Sequence, residues 1–555
     1  MNQIDLDTST IKNLTEIFEQ GYYRKSLQES LNFLDQYKPN DTIYNIIGLS
    51  YFMLKDFKNS INFLKKSIKF NPYSANTLNN LGLVYTENKN FTLALEMFHK
   101  SLTLDPNMPD TYCNLGNVFL YKTEYDEAYK NYKKSLALNP NCIETINNIG
   151  FIFQKINNFN EAKKLYLRGL NLNPNHSGLL MNLGNLYREL NKYSISIFYY
   201  KKCYLLNQKN EIILNNIGNL LFEKNKFIYA NIFYKKALKL NPKFEEVYKN
   251  LSILQLFQCN FTTGWKNFEW RVDKNYRYED FELKEIFNNI HNKNKILIIG
   301  EQGIGDEVFF SRFISDLQMM KINPCFSLNP KLSKIIKNSF KSIKLIKKPD
   351  FNKFKYVIPI GSIAKLFVTK KMDVFRRSNK YLNFDQDEIH NIRNKIKTKK
   401  ILCGISWSSG NVENGKNRSI ELEKLKNILI IPHVQYVNLQ YGNVEYELNN
   451  FYKKYGIKIF NIKNIDNFKN VYSFLNLLNA CDFVITIDNS TAHFAGASGK
   501  TTFLLTPKGK GKHWAWYHEN TKSLWYRSVE VFEQVEFNNW DKAIDKLYQR
   551  IKKFN

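Results

Sequence analysis

This sequence has no long apolar runs, which argues against a transmembrane helix. No stretch approaches the roughly 18 consecutive apolar residues that a transmembrane helix needs. The opening residues, MNQIDLDTST, lack the basic and apolar segments of a secretory signal. We therefore expect a cytoplasmic protein with no integral membrane segment.

Closely spaced cysteines are missing as well. The 555 residues include 7 cysteines, an odd number, and none of them forms a CxxC pair. Disulfide frameworks usually need an even number of cysteines, and zinc sites usually need short cysteine spacings. The sequence therefore predicts neither kind of site and favours a reducing compartment.

Acidic residues are few relative to basic ones. The chain has 80 lysines and arginines against 51 aspartates and glutamates, which gives a formal net charge of +29. Such a charge often indicates nucleic-acid binding, but here no recognised nucleic-acid module accompanies it. Lysine is abundant together with asparagine and isoleucine, a composition typical of AT-biased coding sequences. We therefore predict no nucleic-acid partner.

The first half of the chain repeats with a period of 34 residues, the difference between positions 48 and 82. Twelve, 16 and 19 residues after each repeated glycine come a small residue, a large apolar or aromatic residue, and again a small residue. Small residues let two helices approach closely, and the large residue fills the remaining space. The glycines are Gly48, Gly82, Gly116, Gly150, Gly184 and Gly218.

This pattern resembles the tetratricopeptide repeat (TPR), in which each unit is a pair of antiparallel helices. Weaker units, with Leu14 and Ser252 in the glycine column, precede and follow the regular ones. Irregular end units are expected because they cap the stack against water. The sequence thus predicts an α solenoid, a TPR superhelix of about eight repeats over residues 1–272.

Asparagines recur near the glycine column, where the first helix of each pair lines the concave surface of a TPR array. Their amides could hold an extended peptide backbone. The composition of the chain explains the same asparagines equally well, so both interpretations stay open. The residues are Asn79, Asn80, Asn114, Asn147, Asn148, Asn182, Asn215 and Asn216.

The second half changes period after GWKNFEWR, residues 264–271. Residues 273–294 are interpreted as a linker, and short apolar runs then alternate with helical stretches. This alternation predicts an α/β fold with parallel sheets, arranged as two Rossmann-like lobes over 295–395 and 396–555. The predicted strands lie in KILIIG, YVIPIG, ILCGISW, VQYVNLQ, DFVITID and TTFLLT.

Three loops follow predicted strands, at the edge of the sheet where ligands bind in such folds. In residues 300–310, Asp306 stands where a helix begins; it is an N-cap, a functional acid, or both. In residues 406–422, Arg418 could contact a phosphate bidentately, unless the segment is only a flexible surface loop. In residues 485–500, a helix is predicted to begin near Ser490, and its exposed N–H groups favour an anion.

At these residues the second half resembles the TPR-linked branch of the heptosyltransferase-like glycosyltransferases (glycosyltransferase family 9 type), which have the GT-B fold. The resemblance extends over the whole chain, because the motifs occur in the order in which that branch has them. Two positions depart from its pattern, Ala515 and Glu421. The motifs are GWKNFEWR, GEQGIGDEVFFSRF, NRSIEL, LQYG, DNSTAHFAGASGK, HWAW and LWYRSV.

The resemblance implies roles for individual residues. Residues 295–395 would be the acceptor lobe, with Asp306 as the general base, and residues 396–555 would bind a nucleotide-sugar donor. Arg418 would lie near the donor phosphates. Asp488, Ser490, Thr491 and His493 would line the donor pyrophosphate or sugar. Gly303, Gly305, Gln440 and Trp514 belong to the same motifs and are further candidate donor or acceptor contacts.

A metal site is not predicted, nor is any cofactor besides the nucleotide-sugar substrate. Asp385 and Asp387 do form a DxD sequence, as in metal-dependent glycosyltransferases. However, they open a predicted helix, and acidic residues in a first helical turn are explained by the helix dipole.

The function implied is transfer of a sugar from a nucleotide-sugar to an acceptor, expected to be a protein hydroxyl recruited by the TPR groove. The outline is similar to that of the O-linked N-acetylglucosamine transferases, although their active-site motifs are absent. A saccharide or lipid-linked acceptor is an alternative within the enzyme class. A different class, a non-catalytic TPR scaffold with a degenerate GT-B domain, also stays open.

Overall fold

A computed structural model describes residues 8–36, 38, 40–289, 295–301, 303–411, 415–462 and 470–554. The chain divides into two compact units, Met1–Gln208 and Lys209–Asn555. Among the helices of the described ranges, none is both long and apolar enough to cross a bilayer.

The first unit consists of antiparallel helix pairs, as the 34-residue period predicts. Each pair belongs to one repeat. The helices are α1 (Thr8–Glu19), α2 (Tyr23–Gln36), α3 (Asp41–Met53), α4 (Phe57–Phe70), α5 (Ala75–Glu87), α6 (Phe91–Leu104), α7 (Pro109–Tyr121), α8 (Tyr125–Leu138), α9 (Ile143–Lys155), α10 (Phe159–Leu172), α11 (Ser177–Glu189) and α12 (Tyr193–Leu206).

The glycine column sits where the two helices of a repeat touch. A Cβ atom added to Gly82 would lie 2.6 Å from the ring of Phe98, and one added to Gly116 would lie 2.4 Å from the ring of Tyr132. No side chain fits at such distances, because real carbon contacts are about 3.5–4 Å. The prediction that the glycine makes room for the large residue 16 positions later is confirmed.

The turn between the two helices of each repeat contains a residue with positive φ. In the first repeat this residue is Gly21, with φ 84°; the corresponding residues of the next seven repeats follow at intervals of 34 positions, with φ between 57° and 64°. Glycine is the usual residue in this left-handed conformation, because a Cβ atom makes it costly. None of the seven is glycine: Lys55, Lys89, Thr123, Asn157, Asn191, Asn225 and Cys259.

Replacing Lys89 by glycine is therefore expected to stabilise the first unit. The free energy of unfolding should rise by about 0.5–1 kcal/mol, since relief of backbone strain outweighs the entropy that glycine adds to the unfolded chain. Asn157→Gly is the matched control, because asparagine tolerates the left-handed region better than lysine. Chemical unfolding of the full chain tests this, and equal effects of the two substitutions would contradict it.

The second unit begins with two further helix pairs and a connecting helix. The connecting helix lies in the predicted linker, of which residues 290–294 fall outside the described residues. The helices are α13 (Glu211–Glu223), α14 (Phe227–Leu240), α15 (Glu245–Phe257), α16 (Phe261–Phe268) and α17 (Asp280–Asn288).

The first sheet follows, with four parallel strands in the order β3-β2-β1-β4. Its elements are β1 (Ile296–Ile299), α18 (Ile304–Ser311), α19 (Phe313–Met319), β2 (Cys325–Ser327), α20 (Ser333–Ser339), β3 (Lys344–Leu345), β4 (Tyr356–Pro359), α21 (Ala364–Phe367), α22 (Lys371–Arg376) and α23 (Gln386–Ile396).

The second sheet has the order β6-β5-β7-β8-β11-β10-β9, parallel except around β10. Its elements are β5 (Ile401–Ile405), α24 (Gly415–Arg418), α25 (Lys426–Leu429), β6 (Val434–Asn438), α26 (Glu445–Tyr455), α27 (Val471–Ala480), β7 (Phe483–Ile487), α28 (Ser490–Ala497), β8 (Thr502–Thr506), β9 (His518–Glu519), β10 (Lys522–Ser523), β11 (Val529–Glu533) and α29 (Asp541–Lys552).

All six predicted strands are present, as β1 and β4 to β8. In the first sheet the strand order reverses next to β1. In the second sheet it reverses between β5 and β7, and again beyond β8, where β9, β10 and β11 run back from the far edge. Ligands of open parallel sheets bind at such reversals, beyond the carboxyl ends of the strands. The three loops singled out in the sequence follow β1, β5 and β7, so each of them lies at a reversal.

The last helix pair belongs to the core of the second unit. Trp265 is 1% exposed, and its ring centroid lies 5.5 Å from that of Trp514 and 6.3 Å from that of Phe310. Phe261 packs against Trp525, with ring centroids 5.8 Å apart. The segment interpreted from the sequence as the end of the array therefore also fills the interior of the α/β part.

Candidate functional site

Asp306 lies in the first turn of α18 and faces the second sheet's loops. Gly303 is the N-cap of the helix, and the Asp306 Oδ2 atom accepts a hydrogen bond from the Gly303 N–H at 3.1 Å. The other carboxylate oxygen, Oδ1, lies 3.8 Å from Nε2 of His513. Asp306 therefore both stabilises the helix start and presents an oxygen to the opposite lobe.

Gly305 allows the β1 loop to approach α28 closely. A Cβ atom there would lie 3.2 Å from Cδ2 of His493 and 3.3 Å from the Cα atom of Ser490. These distances are shorter than ordinary carbon contacts. A larger residue at position 305 would push the β1 loop away from α28.

The start of α28 offers unpaired backbone donors. Asn489 is the N-cap, and its side chain accepts the N–H of Ala492 at 3.4 Å. Within the described part of the chain, the N–H groups of Ser490 and Thr491 have no acceptor. Together with the positive end of the helix dipole, they form a favourable place for an anion.

Asp488 has a structural task that the sequence did not indicate. It is 1% exposed. Its carboxylate accepts hydrogen bonds from the backbone N–H of His513 and from the indole N–H of Trp516, both at 2.8 Å. The resemblance implied that Asp488 lines the donor. In the structure, its carboxylate organises the loop that follows β8.

Arg418 ends α24 and joins the loops after β5, β7 and β8. Its Nε atom donates to the carbonyl of Gly511 at 2.6 Å, and its NH1 atom lies 3.5 Å from Oδ1 of Asp488. The side chain is 15% exposed. The loop that carries Arg418, for which a flexible surface segment was the alternative interpretation, is thus anchored at this residue. The guanidinium group lies beside the start of α28.

His493 is a buried, neutral imidazole. Burial, together with the positive charges of His513, Arg312 and Arg418, holds the pKa of His493 well below its usual range. Its Nδ1 atom is 3.1 Å from the hydroxyl of Tyr526. His493 is therefore suited to donate or accept a hydrogen bond as a neutral group, and not to supply a positive charge.

His513 is a site residue that the sequence analysis missed. Its Nδ1 atom accepts the N–H of Ala515 at 3.3 Å, so the imidazole carries its proton on Nε2, the atom that faces Asp306. Burial lowers the pKa of His513, whereas the carboxylates of Asp306 and Asp488 act in the opposite direction. The quoted motif HWAW was the available signal, but only its first tryptophan was singled out.

The remaining candidate contacts differ in accessibility. Gly303 is exposed on the β1 loop. Gln440 is 2% exposed, and its side-chain oxygen accepts the N–H groups of Trp407 and Ser408. Trp514 is 4% exposed and packs on Phe309, with ring centroids 5.2 Å apart. Gln440 and Trp514 are thus buried residues: Gln440 stabilises the loop after β5, and Trp514 packs the loop after β8 against α18.

The DxD sequence caps a helix. Asp385 is the N-cap of α23 and accepts the N–H groups of Asp387 and Glu388 at 3.1 and 3.2 Å. Across the described ranges, no group of three or more His, Cys, Asp or Glu residues is arranged to hold a metal ion.

Glu307, next to Asp306, points into the protein. Burial raises the pKa of Glu307 to about 7, although the Asn329 N–H donates to its carboxylate at 2.7 Å. Below pH 4.5 this side chain is neutral in both the folded and the unfolded state. Between about pH 4.5 and 7 the unfolded chain has lost this proton while the folded protein still holds it, so stability falls as the pH rises and levels off above 7.

Glu307→Gln is expected to remove this pH dependence. Because one pKa unit corresponds to 1.36 kcal/mol, the natural protein should lose roughly 2 to 3 kcal/mol relative to the variant between pH 5 and 8. Chemical unfolding at both pH values measures it. Glu423→Gln, at an exposed residue whose pKa is lowered by Lys454, should leave the natural pH dependence unchanged. Parallel pH curves for Glu307→Gln and the natural chain would refute the assignment.

The asparagines of the repeats bond to one another along the array. In the first unit, the Nδ2 atom of Asn114 donates to Oδ1 of Asn79 at 3.0 Å, and that of Asn182 donates to Oδ1 of Asn147 at 2.8 Å. In the second unit, Asn250 donates to Asn215 at 2.9 Å. These amides are ordered by their neighbours, and each retains further donor and acceptor capacity.

Comparison with known proteins supports the repeat assignment. Tetratricopeptide-repeat family models match residues 73–141, and also 41–74, 143–176 and 177–210. A curated relative, protein FlbA of Caulobacter vibrioides, is 23% identical over 286 residues, which is 47% of this chain and 46% of that protein. The chain thus spans about half the length of this relative.

Solved structures with similar folds include PilF of Pseudomonas aeruginosa, which is 20% identical with a TM-score of 0.33 and covers 38% of this chain and 96% of its own. A tetratricopeptide repeat protein of Parabacteroides merdae is 14% identical with a TM-score of 0.38, covering 44% and 98%. The helix pairs, the glycine contacts and the family matches agree. The first part of the chain, about 260 residues, consists of tetratricopeptide repeats.

Proposed function

We propose that this protein is a metal-independent GT-B glycosyltransferase. It moves a sugar from a nucleotide-sugar donor to a hydroxyl group of a protein segment that the repeats bind. The observation that carries the proposal is the meeting of three strand-end loops: the Asp306 carboxylate stands opposite the unpaired N–H groups of α28, with Arg418 beside them.

The acid and the anion site suit an inverting transfer. Asp306 takes the proton of the acceptor hydroxyl, and the freed oxygen attacks the anomeric carbon. A new carbon–oxygen bond forms there while the bond to the diphosphate breaks. The diphosphate leaves with the electron pair of that bond.

The leaving group needs positive charge nearby. The N–H groups of Ser490 and Thr491 and the guanidinium group of Arg418 supply it from fixed positions, so they need not reorganise as the charge develops. The Nε2–H of His513 points toward the same space and can donate to an oxygen of the donor or to Asp306.

The repeats supply the acceptor in this proposal. Amides that are fixed by their neighbours are suited to bind an extended peptide backbone. A segment held there has a high local concentration near the site, which raises the effective affinity without new contacts in the site itself.

The decisive experiment is release of free nucleotide diphosphate from a panel of nucleotide-sugars, with EDTA present throughout. Release that requires the protein and is abolished in Asp306→Asn supports the transferase. If no nucleotide diphosphate binds in calorimetry and none is released, the chain is instead a repeat scaffold. The pairing of Arg418 with Asp488, which gives this arginine a structural role, is the observation that favours this second candidate.

Arg418→Ala is expected to weaken nucleotide diphosphate binding by about 10- to 100-fold, because a charge-assisted hydrogen bond contributes roughly 1.5–3 kcal/mol. Isothermal titration calorimetry measures the change. Arg393→Ala is the matched control: Arg393 also pairs with an aspartate of this lobe, Asp482, but at the amino end of β7. Equal affinities of the two variants would exclude Arg418 from the donor site.

A further inference from the structure

A buried cluster of charges lies where the last repeat meets the first sheet. It contains two cations, Arg271 and Lys365, and two carboxylates, Glu269 and Glu301. Their side chains are 3% to 10% exposed. Charges this well buried are tolerated only when they are paired and hydrogen-bonded.

Arg271 and Glu301 form the centre of the cluster. The guanidinium group donates to both carboxylate oxygens, from Nε at 2.7 Å and from NH2 at 2.5 Å. This two-pronged geometry fixes the orientation of a carboxylate as well as its distance. Arg271 is itself held by the carbonyl of Phe268 at 2.8 Å and by the face of that ring.

The residues around this pair hold it on several sides. The N–H of Gly361 donates to the same Glu301 carboxylate at 2.7 Å. A Cβ atom on Gly361 would lie 2.7 Å from both Arg271 and Glu301. The second pair, Glu269 and Lys365, is 3.5 Å apart and is tied to Ser362.

Glu301 belongs to the loop that carries Asp306. It directly follows Gly300 at the end of β1 and stands five residues before Asp306. One end of this loop is thus clamped by a side chain of the last repeat. The other end enters α18 through the bond between Asp306 and Gly303.

We propose that Arg271 is a positioning residue, which holds the β1 loop through Glu301 so that Asp306 faces His513. Its importance for catalysis rests on the function proposed above. The placement of the β1 loop by Arg271 does not depend on that function, and it can be measured without any substrate. The last repeat therefore ends the array and also positions a loop of the candidate site.

The reporter is His513, because the Asp306 carboxylate raises its pKa. The other charged groups that act on His513 are Asp488 and Arg418, and the neutral imidazole of His493 lies beside it, with ring centroids 5.8 Å apart. The chain has only 8 histidines, so protein labelled with ¹³C on the histidine rings gives few signals. His513→Gln identifies the signal, and Asp306→Asn shows how far the titration midpoint falls when the carboxylate is removed.

Arg271→Lys is expected to lower the midpoint of His513 by at least half of the fall seen in Asp306→Asn. Lysine keeps the charge but cannot bind both carboxylate oxygens. Glu301→Gln should act in the same direction and serves if Arg271→Lys folds poorly, which thermal unfolding detects. Arg277→Lys is the matched control, since Arg277 also pairs with a glutamate, Glu245, and its described hydrogen bonds go to Glu245 and to the carbonyl of Val272.

A natural His513 midpoint in folded Arg271→Lys and Glu301→Gln would overturn the proposal. A shift in these variants but not in Arg277→Lys supports it. Should the protein release no nucleotide from any nucleotide-sugar while the midpoint still shifts, the transferase proposal fails and the positioning of the loop stands. If Arg271→Lys and Glu301→Gln release nucleotide at the natural rate and leave the His513 midpoint unshifted, the transferase proposal stands and the positioning proposal fails.

Discussion

Asp306→Asn should reduce turnover by about two to four powers of ten, the usual contribution of a general base. The affinity for the nucleotide diphosphate should stay close to that of the natural protein, because asparagine is isosteric. Its side-chain oxygen can still accept the N–H of Gly303, so α18 keeps its start. Initial rates at saturating donor, together with calorimetry, separate the two quantities.

Asp373→Asn is the control for this experiment. Asp373 is likewise the third residue of a helix in the first lobe, and its Oδ2 atom accepts the N–H groups of Thr369 and Lys370 at 2.9 and 3.1 Å. It therefore shares the capping role of Asp306, and its carboxylate is bonded to Thr369 and Lys370, just before its own helix. Turnover that is unchanged in Asp306→Asn, or equally reduced in both variants, would remove Asp306 from the role of base.

Removal of the first unit should nearly abolish transfer to a protein acceptor. A chain beginning at Lys209 keeps Phe261, Trp265 and Phe268, which fill the core of the second unit. We expect it to bind nucleotide diphosphate with natural affinity and to hydrolyse donor slowly. Transfer to the acceptor should fall by about 10²- to 10⁴-fold, the contribution that tethered binding typically makes.

A chain beginning at Asp273 should behave differently. It loses the three buried aromatic residues, and replacing even one such residue by alanine typically costs 3–5 kcal/mol. We expect it not to fold, which circular dichroism and thermal unfolding would detect. If the folded chain from Lys209 modifies the acceptor as fast as the full chain, the repeats of the first unit do not recruit the acceptor.

The repeats were predictable because their contacts are local. Gly116 and Tyr132 are 16 residues apart in the sequence and touch within one helix pair, so a fixed period records the packing directly. The strands β1 and β4 to β8 were found for a similar reason, since each is a distinct apolar run. Strands of two or three residues, such as β2 and β3, are too short to leave a pattern.

The site was only partly predictable. Asp306, Arg418 and the start of α28 could be singled out because each follows a strand in a parallel sheet, where loops gather. Asp306 and His513 lie opposite each other although they follow strands of different sheets. No local sequence pattern encodes such a contact between residues far apart in the chain. The buried tasks of Asp488 and Gln440 were missed because a polar residue after a strand looks the same in a sequence whether it meets a ligand or organises a loop.

The balance of the buried charges at the last repeat has a consequence for sequence drift. Two cations and two carboxylates neutralise each other there: Arg271 pairs with Glu301, and Lys365 pairs with Glu269. Losing a single charge leaves an opposite charge buried and unpaired, which is strongly destabilising, whereas replacing a whole pair by apolar residues is often tolerated. Homologous chains should therefore change these positions together, so Arg271 and Glu301 are expected to be kept or lost as a pair.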